Sequence, residues 1–233
     1  MSLSFDLGEG RSLQIGIKTS DRAKRMRLVS GIEGVHAIVP RNFDANELSR
    51  FAYSKRRWLI RTSRYFGRLR ERCGGYEPGT IFYLGSKYRC NLVSDRLFSV
   101  IVSDALKVIT FHLPHIRTAA KYQEDWYRQQ TRAIIQDRLP AIAERMGIKY
   151  NKVTIKKQKS RWGSCSRNAN LNFNLMLSAA PLEVVDYVIV HELAHITVLD
   201  HSPRFWSIVE KTDPDYRIHR EWLRTFSPLI RID

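Results

Sequence analysis

Residues 181–206 read PLEVVDYVIVHELAHITVLDHSPRFW. Pro181 and Glu183 open a helix here, the proline fitting the first turn and the acid complementing its positive end. Leu182, Val185, Ile189, Leu193 and Ile196 recur at helical spacing and form an apolar stripe for packing. His191 and His195 stand four residues apart on another face, so both imidazoles can point at one ion. Glu192 lies about 100° further round the helix. That places its carboxylate beside the ion rather than on it, where it can take a proton from an activated water. A site of this kind needs a third protein ligand and keeps one position open. His201 is the best candidate. It precedes Ser202 and Pro203, which read as the N-cap and first turn of a new helix, RFWSIVEK. Three neutral imidazoles suit Zn2+, one per chain, and preserve its charge for acidifying water. The rival reading is a buried helix whose histidines satisfy core hydrogen bonds. Two histidines and a glutamate in an otherwise apolar helix are costly without a purpose.

Upstream, KVTIKK (152–157) alternates as a strand, RWGSCSRNAN (161–170) is a compact loop, and LNFNLML (171–177) alternates again. Leu171, Phe173, Leu175 and Leu177 share one face of that last run. Asn172 and Asn174 on the other make it a candidate edge strand for an extended peptide substrate; an ordinary half-buried strand is the rival. Cys165 reads as a small buried side chain or, alternatively, as a thiolate reaching the metal. Arg204, Tyr216, His219 and Arg220 are all candidates for steadying a developing oxyanion, and the sequence does not choose among them.

Residues 118–146 are helical, with an interruption expected near Pro140 and an end at Gly147. Residues 12–40 read as a small antiparallel meander with a turn at GIEG (31–34), ending at Pro40. Residues 42–72 follow a helical pattern through Leu48, Phe51, Trp58, Leu59 and Phe66 before CGGYEPGT (73–80) breaks the chain. Residues 81–113 supply two or three further strands. His36, His112 and His115 have no ligand-like spacing and read as structural. No internal repeat is evident. The fold class expected is α+β: a basic, β-rich N-terminal region with one helix (1–117), packed with a metal-binding catalytic domain (118–233).

Composition narrows the class. A chain of 233 residues with 43% hydrophobic and 27% charged content builds a core and is not intrinsically disordered. Three scattered cysteines, Cys73, Cys90 and Cys165, exclude a disulfide framework and a Cys-based metal site. No apolar run reaches the ~18 residues of a membrane span, and the first residues do not resemble a signal peptide. The expectation is a cytoplasmic protein with no membrane partner; oligomeric state is open. The net charge of +16 is uneven along the chain: residues 161–233 carry 8 Lys+Arg against 9 Asp+Glu, so the excess lies before them. Arg25, Arg27, Arg57 and Arg61, interleaved with Trp58, Tyr65 and Phe66, are candidate nucleic-acid contacts. Arg22, Lys24, Arg56, Arg64, Arg68 and Arg70 extend the same face, which a solvated surface also explains.

RWGSCS (161–166), LNFN (171–174), VIVHELAH (188–195) and HSPRFW (201–206) closely resemble the YgjP-like family of metallopeptidases, and RAKRMRL (22–28), VP (39–40) and KRRWL (55–59) extend the likeness over nearly the whole chain. The resemblance implies a zincin-type C-terminal domain with His191, His195 and His201 as ligands and Glu192 as base. The family is similar to the SprT and WLM zinc proteases, several of which act on DNA-attached proteins. The histidine spacing also matches the metzincin pattern, but Val198 stands where that pattern has glycine. Two functions are therefore carried forward. One is zinc-dependent hydrolysis of peptide bonds in a protein or peptide, with nucleic-acid targeting through the basic half. The alternative is a nucleic-acid-binding protein whose zinc is structural and non-catalytic.

Overall fold

The computed structural model describes residues 2–8, 11–31, 34–72 and 77–230. Part of the expected GIEG turn and the CGGY break, with Cys73, lie outside these residues. The mixed helix and strand content is that of an α+β protein. The chain divides into two compact units, Met1–Glu77 and Pro78–Asp233.

The N-terminal unit holds strands β1 (Ser2–Gly8), β2 (Arg11–Thr19), β3 (Arg27–Gly31) and β4 (Gly34–Val39), then helices α1 (Ala45–Ser54) and α2 (Arg56–Arg72). Two helices thus replace the one expected, with the break at Lys55. Nor is the sheet an antiparallel meander. Its order is β1-β2-β4-β3, and β4 runs parallel to β2. The sequence shows which residues alternate but not which neighbour a strand chooses. Here Ile15, Val35, Ala37 and Val39 are buried in one core with Leu48, Ala52 and Leu59 of the helices, and inserting β4 beside β2 gathers them.

In the C-terminal unit, β5 (Thr80–Tyr83), β6 (Ser86–Ser94), β7 (Ser99–Ser103) and β8 (Val108–Leu113) form a sheet of order β5-β6-β8-β7. Its outer pairs are antiparallel and its central pair parallel. This is the topology of the first sheet, so a repeat exists in the backbone that the residues do not display. The sheet falls on the C-terminal side of the division, ahead of the expected 117/118 boundary, because its partners lie there. Tyr127 Oη donates to Phe82 O at 2.6 Å, and the β5–β6 turn donates from Leu84 N to Ser178 O (2.9 Å) and from Gly85 N to Ala179 O (3.0 Å).

The long helix α3 (Ala119–Met146) carries on through Pro140 without the expected interruption. Pro140 and Gln136, four residues before it, are both exposed. The lost hydrogen bond therefore falls on the solvent side, while Leu139, Ile142 and Ala143 pack inward. A second sheet of order β10-β11-β9 is built from β9 (Val153–Lys156), β10 (Gly163–Cys165) and β11 (Leu171–Asn174). The last run is a strand only to Asn174; Leu175–Ala179 winds into a 3-10 turn. That turn is pinned to α3 through Thr131, whose hydroxyl donates to Leu175 O at 2.7 Å and accepts from Ser178 N at 3.0 Å. Three helices follow: α4 (Leu182–Thr197), α5 (Pro203–Thr212) and α6 (Tyr216–Phe226). Among the described residues no helix is long and apolar enough to cross a membrane.

The β5–β6 turn also sets the start of α4. Gly85 has φ +77, and a Cβ there would meet Pro181 Cγ at 2.5 Å. Gly85→Ala therefore combines backbone strain with a clash against the residue that caps α4. We expect it to cost about 2 kcal/mol, and the C-terminal unit to melt roughly 4–8 °C lower in calorimetry. An unchanged melting curve would mean the turn is not docked on Pro181.

Candidate metal centre

Helix α4 is buried on almost all sides: Val184, Val185, Tyr187 to Val190, and Glu192 to Ala194 are all buried. It packs against α3, α5, α6 and β10. The stripe read from the sequence is only part of this, since Val184, Tyr187, Val188 and Val190 bury a second face. The gap in this packing is where His191 and His195 emerge.

His191 Nε2 lies 3.2 Å from His195 Nε2 and 3.1 Å from His201 Nε2. Among the described residues these three form the only group of His, Cys, Asp or Glu converging as a metal site, with ligand atoms within 4.8 Å of one another. His195 Nδ1 faces Val198 O at 3.1 Å. Facing a carbonyl, Nδ1 carries the proton, which leaves a bare lone pair on Nε2. Val198 is extended at φ −135, ψ 113, so the position needs no glycine, and its carbonyl orients the second histidine. His191 Nδ1 is buried without a hydrogen-bond partner. Burial and then the neighbouring His195 and His201 pull His191 down to about 3, and burial lowers His195 as well. Both rings are therefore neutral donors of lone pairs at physiological pH, the form a metal ion requires.

His201 reaches the group from the exposed segment between α4 and α5. Asp200 accepts a hydrogen bond from Ser202 N at 3.2 Å, and Pro203 opens α5 as expected. Ser202 occupies the N-cap position but makes no side-chain capping bond. The floor of the site escaped the reading of individual residues. Phe205, fully buried, has its ring centroid 4.9, 4.5 and 4.8 Å from those of His191, His195 and His201. Trp206 stacks on His201 and is itself stacked on Tyr216. Their place at the start of α5, immediately after the third histidine, was the available signal.

Glu192 is 5% exposed. Burial pushes its carboxyl up to about 8, partly opposed by Arg161. The start of β10 packs against it: a Cβ at Gly163 would sit 2.5 Å from Glu192 Oε1 and 2.7 Å from its Cγ. Only glycine lets the strand pass, which explains the compact WGSC loop. Cys165, at the end of that strand, donates to Ser166 O at 3.4 Å and does not join the three histidines. Burial, then Glu192, raises its thiol to about 11, so the half-buried side chain is a neutral thiol here.

The edge-strand reading of 171–177 is overturned, because β11 is the middle strand of its sheet, paired on both sides. Asn174 is buried, its amide donating to Gln158 O and Arg161 O, both at 2.9 Å, and its Oδ1 accepting from Met176 N. Asn172 donates to Ser164 Oγ at 3.2 Å. Both asparagines hold the loop in place. The edge nearest Glu192 belongs to β10.

Of the four oxyanion candidates, Arg220 lies with its guanidinium 4.9 Å above the Trp206 ring, and its charge reaches His191 and Tyr187. His219 Nδ1 faces Asp213 Oδ2 at 2.9 Å, Tyr216 is buried beneath Trp206, and Arg204 is exposed. Arg25, Arg27, Arg57 and Arg61 are exposed in the N-terminal unit.

The family model described as YgjP-like, metallopeptidase domain, matches residues 24–226. The chain belongs to this family. Metal-dependent peptide hydrolysis is thus the class of chemistry it shares. No curated protein matches it. The solved structures it is similar to include two archaeal zymogens. One is the metallopeptidase zymogen abylysin of Pyrococcus abyssi, 25% identical, covering 41% of this chain and 94% of that one at a TM-score of 0.37. The other is the zymogen jannalysin of Methanocaldococcus jannaschii, 22% identical, covering 41% and 97% at a TM-score of 0.34.

Purified without chelators, the wild type should retain one divalent ion per chain by elemental mass spectrometry. His191→Ala and His195→Ala should lose it, and Cys165→Ala should keep it. Loss of the ion in the cysteine variant would restore the thiolate as a ligand.

Proposed function

We propose that this YgjP-like chain is a zinc-dependent peptidase, with His191, His195 and His201 as ligands and Glu192 as general base. The observation that carries it is the convergence of three imidazole Nε2 atoms with no fourth protein ligand among the described residues. Donors about 2.0–2.1 Å from a tetrahedral ion stand roughly 3.3 Å apart, and the Nε2 atoms stand at 3.1 and 3.2 Å. A closed structural site takes four protein ligands, so the set of three favours catalysis over the structural-zinc alternative.

Zinc held there would act as a Lewis acid on the scissile carbonyl and would acidify a water. Glu192, in its dry niche against Gly163, takes the proton from that water and delivers it to the departing amine. A carboxyl raised by burial suits both halves of that task. The unpaired edge of β10 offers backbone hydrogen bonds to an extended peptide passing the base.

Glu192→Gln should keep its zinc and lose about 10²–10⁴-fold in peptide hydrolysis. Gly163→Ala should likewise keep zinc and lose activity, because the methyl group displaces the carboxylate. Full turnover by Glu192→Gln would remove the glutamate from the mechanism.

Nucleic-acid binding by the N-terminal unit is the second reading we propose. Arg57, Arg61, Arg64 and Arg68 recur along one face of α2, and all four are exposed. The half-buried Trp58 packs against the unit's core, leaving Tyr65 as the exposed ring of α2. The full-length chain should bind an oligonucleotide with an affinity falling steeply with salt. Replacing Arg25, Arg27, Arg57 and Arg61 together by Ala should abolish binding; salt-insensitive binding would argue against this reading.

A further inference from the structure

The positive charge is shared between the two units. Residues 1–77 carry 16 Lys+Arg against 8 Asp+Glu, and residues 78–233 carry 23 against 15. The excess in the C-terminal unit is local. Residues 147–182 contain Lys149, Lys152, Lys156, Lys157, Lys159, Arg161 and Arg167 and not one Asp or Glu. All seven side chains are exposed. Lys157 pairs with Glu124, and the other six make no ion pair among the described residues.

This stretch builds the sheet that flanks Glu192, and it fixes where the charges stand. The loop between β9 and β10 is tied down by Asn174, whose amide holds Gln158 O and Arg161 O and whose N–H donates to Trp162 O at 2.8 Å. Lys159 and Arg161 therefore sit on a rigid segment just before Gly163, the residue against Glu192. At the far end of β10, Arg167 belongs to a turn closed by Ser166 N on Asn170 O and Ala169 N on Ser166 O, both at 3.0 Å. Asn151 N reaches Ala169 O at 2.9 Å, bringing the segment that carries Lys152 to the same end. The edge strand beside the base is bracketed by unpaired cations at both ends.

We propose that this surface selects acidic polypeptide segments, with Lys159, Arg161 and Arg167 reading Asp and Glu side chains on either side of the bond laid against β10. The inference rests on the peptidase reading and adds its substrate class. A strand edge offers backbone partners to a polypeptide, whereas single-stranded nucleic acid needs exposed rings on which bases stack. The stretch has none to offer. Phe173 is fully buried, Trp162 is half-buried and bonded through Nε1 to Ser227 Oγ at 2.8 Å, and Tyr150 is half-buried. Arg161 stands two residues before Gly163, the residue packed against Glu192, which puts it within range of a substrate side chain next to the scissile bond.

Binding to the full-length Glu192→Gln protein tests this without requiring turnover. The probes are a fluorescein-labelled peptide rich in Glu, its Gln counterpart, and a single-stranded oligonucleotide, followed by anisotropy. Two or three exposed ion pairs should make the acidic peptide bind roughly tenfold tighter than the Gln peptide. The margin should shrink between about 0.05 M and about 0.5 M salt. Lys159→Glu with Arg161→Glu in the same background should erase the preference; both positions are exposed, and circular dichroism checks the fold. Equal affinity for the two peptides, no binding of either, or a preference that survives the double substitution would each overturn the proposal. So would an oligonucleotide whose binding, and not the peptide's, is lost in the double variant. If the acidic peptide binds as described but the wild type never cleaves it, the surface stands and the peptidase reading falls. Cleavage of acidic and neutral peptides at equal kcat/KM leaves the peptidase and removes the selectivity.

Discussion

A neutral imidazole has one N–H, and that single fact organises the C-terminal unit. His195 spends its proton on Val198 O, so its Nε2 faces His191 with a lone pair. His191 Nε2 faces two other ring nitrogens while its Nδ1 is buried without a partner. Hydrogen bonds alone leave ring nitrogens facing one another with too few protons to share. A cation accepting the three Nε2 lone pairs relieves that crowding. Phe205 lies under all three, and burial holds His191 and His195 neutral.

Holding polar rings on the most buried helix of the unit places demands on everything around it. The β5–β6 turn fixes the helix start at Pro181, α3 clamps the preceding 3-10 turn through Thr131, and Arg138 forms a bidentate ion pair with Asp186 on the helix itself. Glu192 is squeezed between this helix and a strand that only glycine allows so close. The Glu192 carboxyl is thus buried between a largely buried helix and a sheet flanked by cations.

Several features escaped the linear reading for one shared reason: each is decided by a neighbour distant in sequence. Asn174 alternates with apolar residues as an outward-facing strand residue would. It is buried because the loop at 158–162 folds over it and needs its amide. Pro140 predicts a break, but α3 presents it to solvent and keeps the helix whole. The matching topologies of the two four-stranded sheets leave no repeat in the residues, because strand order depends on which apolar faces meet.

By itself, the sequence determined the metal ligands and the base as candidates. The i, i+4 geometry of His191 and His195, the adjacent Glu192, and the cap-and-proline signal after His201 are local properties of a helix and the turn that follows it. It also determined the α+β class and the family likeness. Tertiary structure alone decided that β10 and not β11 forms the edge beside Glu192, that Phe205 floors the histidine cluster, that Cys165 stays out of it, and that Pro78–Asp233 is one compact unit. Those outcomes depend on burial and on pairing between segments far apart in the chain, where periodicity carries no information about the partner.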